Sequence, residues 1–80
     1  MKVDIITPDS TVFSGENVGL IQLPGIDGSF EVLSNHAPLI SVLRKGRIKL
    51  VYKGEKEEHF FEINGGVVEV LSNRVLVLAE

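Results

Sequence analysis

Asp27, Ser34 and His36 are the side chains of this sequence best suited to chemistry: a carboxylate, a hydroxyl and an imidazole close together in the chain. Such groups can form a hydrolytic trio, the carboxylate orienting an imidazole that takes the hydroxyl proton. Neither a nucleophile elbow nor an oxyanion loop accompanies them, and the arrangement works only if Asp27 and His36 meet in one cleft. The other histidine, His59, stands more than twenty positions on, in an alternating segment that reads as an exposed strand. With no cysteine in the chain, two histidines so far apart make a poor metal set. Gly25-x-x-Gly28 is too short for a dinucleotide fingerprint, and Gly65-Gly66 lacks the Lys-Ser/Thr of a phosphate loop. The sequence therefore predicts no catalytic residue, no metal and no cofactor. Arg44, Lys45, Arg47, Lys49 and Lys53 form a basic cluster interleaved with apolar residues. It reads as a solvated strand face with lysine guarding an edge; the functional alternative is an electrostatic patch for an acidic protein partner.

The elements that must position these groups centre on Leu23–Leu39, LPGIDGSFEVLSNHAPL. Pro24-Gly25 reads as a turn pair, because proline presets φ and glycine accepts a positive one. Asp27-Gly28 is a second turn signal. Phe30 and Val32, with Leu33, then form a short strand, Ser29 and Glu31 taking its other face. Pro38 keeps Ala37 out of helical conformation, so the chain runs extended into Leu39. Two turns flanking one strand predict a rigid tip, with His36 beside Gly28–Phe30 once the chain reverses. Phe30 either belongs to that tip or faces inwards as the first core residue of its strand.

Elsewhere the alternation is that of strands. Lys2–Ile5 is half-buried, Pro8-Asp9-Ser10 ends it, and Thr11-Val12-Phe13 is closed by Ser14-Gly15. Asn17–Leu23 sets Val18 and Leu20 on one face, Ile21 and Leu23 near the other. Leu39–Leu43 is apolar except for Ser41, and Arg44-Lys45-Gly46 turns the chain. In Arg47–Lys53 the residues Ile48, Leu50 and Tyr52 share a face; after the Lys53-Gly54-Glu55 loop, His59, Phe61 and Ile63 share another. Asn64-Gly65 is the strongest two-residue hairpin signal, and Val67–Leu71 pairs with Val75–Leu78 around Ser72-Asn73. With turns every several residues and no helical period, the chain reads as all-β, a small antiparallel sandwich of two sheets.

Composition sets the outer bounds. Eighty residues make one domain, which buries roughly 60–68% of its unfolded surface, enough for one thin core. A hydrophobic content of 44% with 24% charged residues is ordinary for a soluble protein. The net charge of −3 argues against a nucleic-acid binder, which needs a positive face to displace counterions. Apolar runs are too short to span a membrane, and MKVDII has no signal-peptide pattern. These bounds suit a soluble cytoplasmic domain.

The pattern PG-x-x-G-x-F-x-V-L-x-x-HAPL over residues 24–39 resembles the signature of the epsilon subunit of F-type ATP synthases. Phe13-Ser14-Gly15, Leu43-x-x-Gly46-x-Ile48, Gly65-Gly66-x-x-Glu69-Val70 and Asn73-x-Val75-x-Val77-Leu78-Ala79 follow in that family's order and spacing. The resemblance runs over nearly the whole chain and implies the family's N-terminal β-sandwich over residues 1–80, without the C-terminal helical hairpin. It implies a non-catalytic rotor subunit with neither cofactor nor small-molecule substrate, peripheral to the cytoplasmic side of the inner membrane. Its partners would be the gamma subunit and the ring of c subunits, which it couples so that ion flow drives ATP synthesis. By the same resemblance Gly28, Ser29, Phe30, His36, Ala37 and Pro38 face the polar loops of the ring, and Thr7, Leu39, Ile40 and Ser41 face gamma. Ser29 stands where some members carry an acid, so hydrogen bonding replaces a salt bridge there. The alternative from another class is a free-standing β-sandwich module that binds a ligand or peptide. Leu39–Leu43 carries more apolar surface than a small sandwich needs inside, which calls for a partner.

Overall fold

A computed structural model describes residues 1–80. Nine strands follow one another: β1 (Lys2–Ile6), β2 (Thr11–Gly15), β3 (Val18–Gly25), β4 (Gly28–Leu33), β5 (Leu39–Leu43), β6 (Gly46–Tyr52), β7 (His59–Ile63), β8 (Gly66–Leu71) and β9 (Arg74–Ala79). They divide into a layer β2-β1-β9-β8-β5 and a layer β4-β3-β6-β7. One pairing, Gly25 with Leu43, carries the ladder from the first layer into the second. The result is a sheet curled into a sandwich, as the alternation predicts. All pairings are antiparallel except β1 with β9, which run parallel. No helix is long and apolar enough to cross a membrane.

The interior is the inward set of both layers. Val3, Ile5, Val18, Ile21, Leu23, Val32, Ile48, Leu50, Val68, Val70, Val75 and Val77 are fully buried. Each such side chain contributes about 1.5–3 kcal/mol relative to exposure, which is how so thin a core holds. The open sides of the sandwich are closed by larger groups. Between β2 and β7, Phe13 lies 5.3 Å from Phe61 and 6.3 Å from Tyr52, centroid to centroid. His59 meets Tyr52 edge-on at 5.4 Å, so it is half-buried at the rim of this cluster, more enclosed than an exposed strand residue. On the opposite side Phe30 and Leu39 pack against the core.

Two turn readings and one strand-face reading are corrected by the observed pairing. Pro24 and Gly25 are the last residues of β3, paired with Ser29 and Gly28; the turn itself is Ile26-Asp27. Neither turn residue has a positive φ; Gly28, at φ 132°, supplies it on the way back. Asn64-Gly65 joins no hairpin, because β7 pairs with β6 whereas β8 pairs with β5 and β9. It crosses between layers, held by Asn64 N–H to the Glu80 carbonyl at 3.2 Å and Glu80 N–H to the Gly65 carbonyl at 2.9 Å. Gly65 and Gly66 take φ values of 137° and 145° there, and a Cβ on Gly66 would collide with the Leu78 carbonyl. In β3 the register shifts between Val18 and Leu20, so a bulge at Gly19 brings Val18 onto the buried face with Ile21 and Leu23. Strict alternation had put Val18 with Leu20 instead. The β8–β9 hairpin around Ser72-Asn73 stands as read, with Ser72 at φ 51°.

Candidate docking surfaces

The hairpin of β3 and β4 ends in a protruding tip. Ile26, Asp27, Gly28 and Ser29 are exposed, and Ile26 keeps 60% of its surface in solvent. Its base is stiff: Ile26 N–H bonds the Val42 carbonyl at 3.0 Å and Arg44 N–H bonds the Pro24 carbonyl at 2.9 Å. Phe30 does not stand on the tip. Its ring lies against Gly25 and packs on the core, which settles the two sequence readings in favour of the inward one.

His36, Ala37 and Pro38 lie at the far end. β4 runs five steps from Gly28 to Leu33 before the chain turns, about 17 Å at a strand's rise. The loop is tied there by Asn35 N–H to Asn73 Oδ1 at 3.2 Å. His36 is half-buried, and its Nδ1 donates to the Ala37 carbonyl oxygen at 2.7 Å. The expected position of His36 beside the tip is therefore not what the fold provides. Asp27 and His36, at opposite ends, share no cleft, and the hydrolytic trio is never assembled. No group of three or more His, Asp or Glu side chains converges as a metal site would require.

The outer face of the five-stranded layer is largely apolar. Register sets Val42, Val67, Leu78 and Ile6 in one row across the sheet, and Ile40, Glu69, Leu76 and Asp4 in the next. Ile40 is 72% exposed, and Val42, Val67 and Leu78 are also exposed. A shallow hollow of about 240 Å³ lies among Ile40, Val67, Glu69, Leu76 and Leu78. Leu39 and Ser41 alternate to the other side of β5, half-buried, with Leu39 against the core. Beyond Leu43, β5 has no second neighbour, so the edge over Leu39–Ser41 is open. Thr7 is half-buried and spent on a turn, its Oγ1 exchanging 3.2 Å contacts with Ser10. It sits three strands from β5, about 14 Å at ordinary strand spacing.

The surface thus carries two distinct features, an apolar outer face around Ile40 and a protruding hairpin tip at Ile26–Ser29. The profile described as ATP synthase, Delta/Epsilon chain, beta-sandwich domain covers residues 1–80.

The chain belongs to this delta/epsilon family of ATP synthase chains.

Within the family it is 42% identical over 79 residues to the ATP synthase epsilon chain of Chlorobium limicola, covering 99% of this chain and 88% of that one. To the epsilon chain of Dehalococcoides mccartyi strain CBDB1 it is 41% identical over 80 residues, all of this chain but 55% of that one. In the Tetrahymena thermophila mitochondrial ATP synthase central stalk and c-ring structure, a chain of 20% identity matches with a TM-score of 0.82, over 99% of this chain and 62% of that chain. A chain of the Euglena gracilis mitochondrial ATP synthase structure matches with a TM-score of 0.87 at 23% identity, over 96% and 48%. Likeness at such identities speaks to the fold alone, and the fold is shared.

Sequence reasoning singled out Leu39–Leu43, with Ile40 and Val42, but missed their neighbours across the sheet. Val67, Leu76 and Leu78 alternate visibly in the sequence; what alternation cannot give is which face of the strand lacks a covering layer. Ile26 was overlooked as well, an isoleucine between two turn signals. An apolar residue in so short a turn was the available clue.

Proposed function

We propose that this chain acts as the non-catalytic epsilon subunit of the ATP synthase rotor, joining the gamma subunit to the membrane ring of c subunits. The observation that carries the reading is the apolar outer face centred on Ile40. Contiguous exposed apolar surface on a small domain marks a protein interface, and the open β5 edge beside it adds unpaired backbone groups that a partner strand can take up. Gamma is the partner assigned to this face. Ile40 is its centre, with Leu39 and Ser41 holding the strand from behind; His36, Ala37 and Pro38, which lead directly into β5, belong with this side on grounds of continuity. Thr7 is the outlying member of the gamma set.

The ring contact is assigned to the tip: Gly28 and Ser29, with Ile26 and Asp27 between them and β3, and Phe30 as the internal brace. Such a joint passes torque by stiffness alone, and the backbone bonds at the hairpin base supply that. The reading makes the domain peripheral to the membrane through its partners, on the side where the catalytic head lies. The test is direct. Purified gamma mixed with this chain should elute as one complex on gel filtration, and a chain that stays separate from gamma at micromolar concentrations overturns the assignment.

A further inference from the structure

Half of the chain's eight cations fall between positions 44 and 49, and the fold gathers all four around one hollow. Arg44 and Lys45, in the β5–β6 turn, together with Arg47 and Lys49 on β6, line a depression of about 320 Å³ bounded by Ser29 of the hairpin and Phe60 of β7. That volume is at the lower end of the range for ligand sites. Lys49 is engaged, its Nζ 3.4 Å from Glu58 Oε2. Arg44, Lys45 and Arg47 form no ion pair, although Glu62 stands directly across the ladder from Arg47. The Arg47 guanidinium lies instead over the Phe60 ring, 4.5 Å from its centroid, a cation–π contact that holds it along the protein surface.

We propose that this basic hollow is a docking site for a carboxylate-bearing peptide segment, the acidic part of the same partner that meets the hairpin tip. Three unpaired cations in a chain of net charge −3 are a local concentration of positive potential, and such patches select partners of opposite charge. The shape favours a peptide over a bilayer. A planar anionic surface is met by protruding lysines, whereas here Arg47 lies flat on Phe60 and Lys49 is tied to Glu58. The charge therefore sits in a concavity that a narrow acidic segment enters. Guanidinium forks take carboxylates bidentately, and the Ser29 hydroxyl on the near wall adds a hydrogen bond. Tip and hollow share Ser29, so one partner touching the tip also reaches the cations. In that respect the inference rests on the ring-contact reading.

The probe is a blocked decapeptide of alternating Glu, Asp and Gly, against the same peptide with Gln and Asn replacing the acids. Titrated into the isotope-labelled chain, the acidic peptide should shift the amides of residues 44–49 and of Ser29, binding on the order of tenfold more tightly than the neutral one. The double variant Arg44→Ala/Lys45→Ala should lose on the order of tenfold in affinity, the size expected for two exposed charge contacts, while Lys53→Ala, outside the hollow, should not. Both variants sit in exposed turns, and an unchanged melting temperature confirms their fold. Equal binding of the two peptides overturns the inference, as does indifference to the double variant. Stronger recruitment to phosphatidylglycerol vesicles than to the acidic peptide replaces it with a membrane contact. Association of the chain with a detergent-purified ring is scored in parallel. Ring binding without acidic-peptide binding sinks this inference alone, and peptide binding without ring binding sinks the ring reading alone.

Discussion

Gly25 and Leu43 face each other across the one pairing that joins the two layers of the sandwich. Gly25 is also paired with Gly28 on its other side, so its backbone is clasped from both directions. A Cβ at this position would fall 2.6 Å from the Gly28 carbonyl oxygen and 2.9 Å from the Phe30 ring. The first of these is backbone and has little room to yield. Gly25→Ala is therefore expected to cost about 1–3 kcal/mol, the usual range for overpacking, read as a lower urea midpoint with the slope unchanged. A loss below about 0.5 kcal/mol, the size of an ordinary surface substitution, would mean that the corner is looser than its geometry.

Ile40 offers the opposite case. With 72% of its surface in solvent it contributes little to the fold. Ile40→Lys should leave stability within about 0.5 kcal/mol, yet it places a charge in the middle of the face assigned to gamma. Burying an unpaired charge in an interface is costly, so the affinity for gamma should fall at least tenfold. Thermal melting and titration calorimetry on the same preparation separate the two effects. A variant that unfolds would make Ile40 a core residue; one that binds gamma normally would move the interface elsewhere.

At the tip the informative position is Ser29. Gly28 has φ 132°, a conformation that side chains rarely adopt, so a substitution there mixes strain with loss of contact. Ser29 is exposed on ordinary strand backbone. One hydroxyl hydrogen bond is worth about 0.5–1.5 kcal/mol net, and a wet polar contact absorbs that, so Ser29→Ala should be nearly silent. Ser29→Trp adds bulk at the contact without changing the charge beside Arg44, Lys45 and Arg47. In reconstituted vesicles it should lower ATP-driven ion pumping while ATP hydrolysis in the same sample persists. Pumping that keeps pace with hydrolysis would remove the tip from the ring contact.

How much of this was legible in the sequence follows from what each feature depends on. Strand period is local: two residues on, a side chain returns to the same face, so Ile48 and Leu50 announced themselves, and so did Arg47 and Lys49 on the opposite face. The all-β class and the β8–β9 hairpin rest on such short-range signals. The family pattern over residues 24–39 was likewise written in the order of residues. The choice of partner strand was not. Asn64-Gly65 is as good a hairpin signal as Ser72-Asn73, yet the first crosses between layers and the second closes a hairpin, because β5 and β9 outcompete β7 for the edges of β8. The parallel pairing of β1 with β9 joins the two ends of the chain, and no local rule contains it. The same holds for the sites. Gly28 and His36 are near in sequence but one strand length apart in space, whereas Ser29 and Arg47 are distant in sequence and line one hollow. The sequence by itself determined which residues can be strand, turn, core or charge; only the closure of the sandwich decided which of them became neighbours, since burial is shared by both layers at once and belongs to no single segment.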